Sequence, residues 1–261
     1  MNIELLNYEL VRNNILNKII YFNEIDSTNE YAKKNISHLD DRTIILTSNQ
    51  TGGKGRFGRV WESSVNKNLT FSLVTFSDLR IDEIHFLNFY SSYIFFLTVS
   101  KFTSNSADTE LRLKWPNDLL LNRKKIAGLL LDVKNLNNVI KKFIIGIGLN
   151  INETTFSKDI IDKATSLKKE FNREFIIEEI LAEFITLFFG RISLLKCNEE
   201  LMQLWNSASG IEGQKINFRQ LEDDKELSGT VVKINRDGAI LLNLENGRNC
   251  KFYSGEIRII Y

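Results

Sequence analysis

The sequence predicts an α+β fold: a mixed, mainly antiparallel sheet with flanking helices, followed by a small all-β unit. Three observations carry this. Between Thr43 and Ile151, short apolar runs alternate with turn residues in a strand–turn–strand meander. Two segments, Ile84–Ser100 and Phe175–Leu195, instead repeat their apolar residues three or four positions apart, as helices do. Near Ser209-Gly210 the character changes to short strands joined by glycine-containing turns.

Taken in order, the residues up to about Ile20 read as a short helix or an ordered arm. Their mixture of acids, bases and asparagines is not that of a secretory leader. Asp26-Ser27-Thr28-Asn29 places cap-forming residues before Glu30-Tyr31-Ala32-Lys33-Lys34, which starts a helix. Thr43–Thr47 and Leu69–Phe76 are strands with a glycine-rich basic loop between them. Ile84–Ser100 carries no formal charge unless His85 is protonated, and so approaches the length of a membrane span. His85, Asn88, Ser91, Ser92, Thr98 and Ser100 interrupt it, while Phe86, Phe89, Tyr93, Phe96 and Val99 recur at helical spacing. A buried amphipathic helix is predicted, and no membrane association. Glu110–Lys114, Leu119–Leu121, Ile126–Val133 and Phe143–Ile151 continue the strands, with a turn at Asn135–Asn138. Phe175–Leu195 is a helix facing inward through Ile177, Ile180, Leu181, Phe184 and Leu187. From Lys215 the strands are short, with turns at Asn235–Gly238 and Glu245–Gly247, and so small a sheet must close or pack into a barrel-like unit. This divides the chain into domains at 1–209 and 210–261.

With one proline and 14 glycines in 261 residues, the chain is neither collagen-like nor a Pro/Gly-rich disordered segment. Cys197 and Cys250 lack metal-ligand or redox spacing, and a reducing cytosol is the plain expectation. The net charge of +1 averages unlike parts: residues 51–150 hold 14 Lys/Arg against 8 Asp/Glu. A basic middle in a neutral chain points to a locally held anion, phosphate or carboxylate, rather than a long nucleic-acid footprint. Hairpins that merely expose lysines are the competing account.

The loop Gln50-Thr51-Gly52-Gly53-Lys54-Gly55-Arg56-Phe57-Gly58-Arg59-Val60-Trp61 is the most informative stretch. Its glycines let backbone N–H groups approach an anion, Lys54, Arg56 and Arg59 add positive charge, and Trp61 offers a face on which a purine can stack. A flexible surface turn is the alternative. Gly53-x-Gly55-x-x-Gly58, with Asp78 downstream, formally matches a dinucleotide fingerprint, but no helical face follows it, and context rejects the match. Lys114-Trp115-Pro116-Asn117-Asp118, followed by Lys125-Ile126-Ala127-Gly128, gathers cations, an amide and a carboxylate. The single proline is expected to turn Asn117 and Asp118 away from a strand end; taken alone, Pro-Asn-Asp also reads as an ordinary β-turn. Gly146-Ile147-Gly148-Leu149-Asn150 is a strand whose glycines permit close approach by ligand or backbone, or else a bulged core strand.

Together and in this order, Asp26–Asn29, Gly53–Trp61, Lys114–Asp118 with Lys125–Gly128, and Gly146–Asn150 resemble the biotin protein ligases, biotin–[acetyl-CoA-carboxylase] ligases, over roughly residues 22–205. The resemblance implies a class II synthetase-like catalytic domain and an SH3-like C-terminal barrel. It also implies activation of biotin by ATP and Mg²⁺ to biotinyl-5′-AMP with release of pyrophosphate. Transfer to a lysine of the biotin carboxyl carrier protein of acetyl-CoA carboxylase would follow. It assigns Ser27, Thr28, Asn29 and Gln50 to the biotin ring system, and Lys54, Gly55 and Arg56 to a loop closing over biotin and adenylate. Lys125 falls to the biotin carboxylate and reacting phosphate, and Trp61 to an adenine platform. Arg56, Arg59 and Lys114 are expected at the phosphates, with Asn117 and Asn150 near the nucleotide or its metal. Lys125, Arg56 and Asp118 are the catalytic candidates, Asp118 orienting the acceptor amine. No protein-held metal is expected, the Mg²⁺ being carried mainly by the phosphates.

There are departures. Lys54 stands where the family usually has arginine, and Tyr253-Ser254-Gly255-Glu256 follows the family's ending only loosely. About twenty residues precede the catalytic part, too few for the helix-turn-helix module of repressor members, so no operator binding is expected. A homodimer through sheet edges is left open. A lipoate or octanoate ligase is the nearest alternative, and a non-catalytic single-stranded nucleic-acid binder is an alternative of another class.

Overall fold

The computed structural model describes residues 1–13, 18–76, 79–104, 109–136, 139–220 and 225–260. Helix α1 (Ile3–Arg12) is capped by Asn2, whose side chain accepts the Leu5 N–H at 3.0 Å, and it buries Leu6 and Leu10 one turn apart. The expected arm ends sooner than Ile20, because Lys18–Phe22 form strand β1, parallel to β2 (Thr43–Thr47). Between them lies α2 (Thr28–Asn35), with Ser27 as the cap that accepts from Glu30 N–H.

Strand β3 (Leu69–Phe76) is followed by α3 (Ile84–Thr103), then β4 (Leu111–Lys114), β5 (Asp118–Leu121), β6 (Lys124–Leu136) and β7 (Val139–Leu149). Seven strands form one sheet in the order β1-β2-β3-β7-β6-β5-β4, and every pairing except β1 with β2 is antiparallel. Of the turn expected at Asn135–Asn138, Asn137 and Asn138 lie outside the described residues, as does Asp78; β6 and β7 meet with Leu136 opposite Val139.

Alternation along these strands gives the sheet two unlike faces. One carries Leu69, Phe71 and Leu73 of β3 with Ile145, Ile147 and Leu149 of β7, all in the main core. Against it pack α3 and α5 (Ile177–Gly190); Phe184 lies 5.6 Å from both Phe71 and Phe95. The other face carries Thr70, Ser72, Gly146, Gly148 and Gly128, too small and polar to make a core, and α2 covers only part of it through Ala32 and Ile36. The uncovered part is where the site lies.

Helix α3 is buried on nearly every side, which corrects the amphipathic expectation. Its hydroxyls tolerate this because Ser91, Ser92 and Thr98 donate to the carbonyls of Leu87, Phe89 and Ile94 at 2.7, 3.0 and 2.9 Å. No described helix is long and apolar enough to cross a membrane. The predicted Phe175–Leu195 helix ends at Gly190 and continues as a 3₁₀ turn over Ile192–Lys196. The short α4 (Leu167–Phe171) and α6 (Asn198–Ser209) were not anticipated; α6 stops at Gly210, whose φ of 56° is the left-handed cap that glycine favours.

Strands β8 (Lys215–Arg219), β9 (Glu226–Ile234), β10 (Ile240–Leu244), β11 (Asn249–Phe252) and β12 (Glu256–Ile259) make an antiparallel sheet in the order β11-β10-β9-β8-β12. The rings of Phe218 on β8 and Phe252 on β11 lie 4.2 Å apart although two strands separate them, so the sheet curls strongly. Its core is continuous with the larger one. Trp115 at the β4–β5 turn is 1% exposed and donates its indole N–H to Gly238 O at 3.0 Å.

Candidate functional site

Two rows of residues cross the small-residue face of the sheet. In one, Ser72 on β3 stands opposite Gly146 on β7, which stands opposite Leu130 on β6; in the next, Thr70, Gly148 and Gly128 align. Each β7 glycine seats one side chain. A Cβ on Gly146 would lie 2.3 Å from Asn29 Oδ1, and one on Gly148 would lie 2.2 Å from the Trp61 indole. The glycines predicted to admit a ligand or backbone therefore admit protein side chains first. Above them opens a cavity of about 1260 Å³, and all fourteen residues singled out from the sequence line it.

At the α2 end the groups are neutral and mutually bonded. Thr28 receives its place from Gln50, whose Oε1 accepts the Thr28 N–H at 3.0 Å and its hydroxyl at 3.3 Å. Gln50 is itself held beside Ile25 by a parallel bridge. Asn29 donates to Asp132 Oδ2 at 3.0 Å, and its Oδ1 accepts from Ser72 at 2.5 Å; Ser72 also donates to Thr28 Oγ1 at 2.8 Å. Ser27, Thr28 and Asn29 are nearly buried, at 4, 2 and 6% exposure. Asn29, assigned by resemblance to the ligand, has both ends of its amide engaged with the protein.

At the other end the groups are cationic. Lys114 closes β4 and Asp118 opens β5 directly opposite it, so the Pro-Asn-Asp segment is a hairpin turn and does not lead Asp118 away from the strands. Lys125 Nζ sits 2.6 Å from Asp118 Oδ1 and 5.6 Å from the Trp61 ring. A bulge aims it. Leu119 pairs with Ala127 and Leu120 with Lys125, which leaves Ile126 as the extra residue. Burial pushes the Lys114 ammonium below the usual lysine range, with Asp118 opposing and Lys125 reinforcing the shift. Burial likewise lowers Arg56, against the pull of Asp118 and Glu256. These cations have lost water without gaining a full counter-charge, a state that an arriving anion relieves. Ten Lys/Arg and four Asp/Glu line the cavity.

The glycine-rich loop is closed on itself. Gly55 N–H donates to Arg59 O at 2.7 Å and Trp61 N–H to Gly53 O at 2.9 Å, around a single 3₁₀ turn at Arg56–Gly58. No helix opens there, in accord with rejection of the dinucleotide match. Arg59 is ion-paired with Glu256 of β12, and Lys54 Nζ lies 3.9 Å from Glu30. The Trp61 indole N–H is buried with no acceptor among the described residues. Asn117 and Asn150 turn their amide N–H groups away to Leu129 O and Thr165 O, bracing the wall of the cavity. Among the described residues no group of three or more His, Cys, Asp or Glu could hold a metal ion.

Sequence reasoning missed Ser72, Asp132 and Glu256. The alternation in Leu69–Phe76 puts Ser72 on the face of Thr70, which was a usable signal; nothing local marks Asp132 or Glu256. The smaller sheet, whose role was open, adds Asn217 and residues 255–260 to the wall.

Residues 21–150 match the Biotin/lipoate A/B protein ligase family. The Bifunctional ligase/repressor BirA of Bacillus subtilis is 28% identical over 256 residues, covering 92% of this chain and 74% of that protein. The Biotin–[acetyl-CoA-carboxylase] ligase of Paracoccus denitrificans is 31% identical over 126 residues, 48% of this chain and 51% of that one. Among solved structures, the biotin protein ligase from Aquifex aeolicus in complex with biotin and ATP superposes with a TM-score of 0.74 at 24% identity. It covers 94% of this chain and 99% of that one, a likeness of fold. The matched stretch contains the two glycine rows, the basic loop and the Lys114–Lys125 hairpins, and through it the chain belongs to the biotin/lipoate A/B protein ligase family.

Proposed function

We propose that this ligase is a biotin–protein ligase that activates biotin with ATP to biotinyl-5′-AMP and passes it to a lysine of a carrier domain such as that of acetyl-CoA carboxylase. One observation carries the reading: a neutral hydrogen-bonding pocket at Thr28 and Gln50 opens, within one cavity, onto the cluster of Lys125, Lys114 and Arg56 around Asp118. The names of the relatives and the biotin and ATP of the Aquifex protein support it.

The chemistry accounts for the arrangement. Activation brings a carboxylate against a polyanionic nucleotide, and each like-charge pair at about 4 Å costs roughly 1–4 kcal/mol depending on the effective dielectric. Lys125 and Arg56 offset that cost where the two anions meet, and Lys114 lies beside them. Trp61 presents its face to the base. A Mg²⁺ ion brought by the phosphates would supply further charge neutralisation there. The mixed anhydride hydrolyses if exposed, so the loop at Thr51–Val60 serves to exclude water. In the transfer step Asp118, freed from Lys125, orients the incoming amine.

The family includes lipoate ligases, but the aliphatic chain and dithiolane ring of lipoate carry no N–H or carbonyl to use the polar groups at Thr28 and Gln50. Incubation with Mg-ATP, a carrier domain and either biotin or lipoate, followed by mass spectrometry, tests the reading. A biotin increment on the carrier lysine is expected. A lipoyl increment in its place, or none, would overturn it.

A further inference from the structure

We infer that Ser72 is a positioning residue that locks the Thr28 hydroxyl as a hydrogen-bond acceptor, so that the pocket selects an acid carrying a ring N–H. The inference rests on the biotin reading and extends it to a residue and a selection rule.

The proton positions are fixed in turn from Lys33 to Thr28. Lys33 Nζ lies 3.0 Å from Asp132 Oδ1, which holds that carboxylate as an acceptor. Asp132 Oδ2 accepts from Asn29 Nδ2 at 3.0 Å. The amide cannot turn over, since its oxygen would then face a carboxylate, so Oδ1 is directed at Ser72. Ser72 is fully buried, and its one proton serves two acceptors, Asn29 Oδ1 at 2.5 Å and Thr28 Oγ1 at 2.8 Å. The proton of Thr28 points to Gln50 Oε1 at 3.3 Å. With its proton turned into the protein and one lone pair held by Ser72, Thr28 offers the cavity a lone pair. A ligand N–H satisfies it; an oxygen or alkyl group at the same place leaves it buried without a donor.

Without Ser72 the Thr28 hydroxyl is free to rotate and donate, and Asn29 Oδ1 loses its donor. Selectivity then falls together with affinity. The Asn29 amide fills the space that a Cβ on Gly146 would take.

The test uses calorimetry with biotin and with the two isosteric cyclic carbamates in which one ring N–H is replaced by oxygen. Wild-type protein should prefer biotin over one carbamate by at least about ten-fold. In Ser72→Ala, biotin should bind about ten-fold more weakly and that preference should shrink to within about three-fold. The turnover rate at saturating biotin and the nucleotide KM should stay within about two-fold. Ser72→Cys, which fills the space with a poor donor, should show the same pattern and takes its place if the alanine variant does not fold. An unchanged preference in folded variants would overturn the inference alone, as would an equal loss of nucleotide affinity. Wild-type protein that ignores biotin would overturn the proposed function, and this inference with it.

Discussion

At the α2 end of the cavity, Thr28, Asn29, Gln50 and Ser72 are held, with Asp132 behind them, in one hydrogen-bonded network before any ligand arrives. At the β4–β5 end, Lys125, Lys114 and Arg56 gather around Asp118, with Glu256 acting on the last two, and burial lowers the pKa of Lys114 and Arg56. The first end is a finished mould and the second an incomplete ion cluster. Recognition of a neutral ring needs fixed donors and acceptors, whereas joining two anions needs positive charge not already neutralised.

Removing the charge should therefore do the most damage. For Lys125→Ala we expect adenylate formation to fall on the order of 10²–10³-fold with the fold retained. Biotin-dependent ATP–pyrophosphate exchange at the wild-type rate would break the comparison at its centre. Next in size are the glycine seats. Gly148→Ala should displace Trp61 and weaken nucleotide binding at least about ten-fold, while Gly146→Ala should displace Asn29 and weaken biotin binding instead. If both variants weaken the same ligand, the two ends are not separable. Trp61→Ala should cost nucleotide affinity about 1–3 kcal/mol and leave biotin affinity alone similar; direct titration of each ligand checks this.

The smallest effect is a titration. Lysine is cationic below its pKa, so the lowered pKa of Lys114 brings loss of charge to a lower pH than an ordinary lysine would show. Nucleotide affinity should begin to decline at a lower alkaline pH than an ordinary lysine would give, and binding there should take up protons, because phosphate favours the cation. Lys114→Arg should flatten that decline. Calorimetry in two buffers of different ionisation enthalpy measures the uptake, and a decline that persists in Lys114→Arg would remove Lys114 from the cluster.

Much of the site was legible because its residues are clustered in short segments. Gln50–Trp61 and Lys114–Gly128 each carry several charged or flexible residues whose combination is uncommon by chance. The strands bearing Ser72 and Asp132 were legible as strands, but the partners of those residues lie about forty to a hundred positions away, and no local pattern encodes such a pairing. Burial of α3 on nearly every side likewise depends on α5 and α6, which its own periodicity does not report. β1 was missed because five residues after a helix give too short a pattern to stand out.

The chain by itself determined the alternation of strand and helix, the glycine-rich cationic loop and the chemical types present, since periodicity, turn preference and charge act over a few neighbouring residues. Only the tertiary structure decided that Gly146 seats Asn29, that Gly148 seats Trp61, and that Glu256 from the second sheet reaches Arg59. Those contacts depend on strand register and on how two sheets pack, and both are set by burial of the whole core rather than by any one segment.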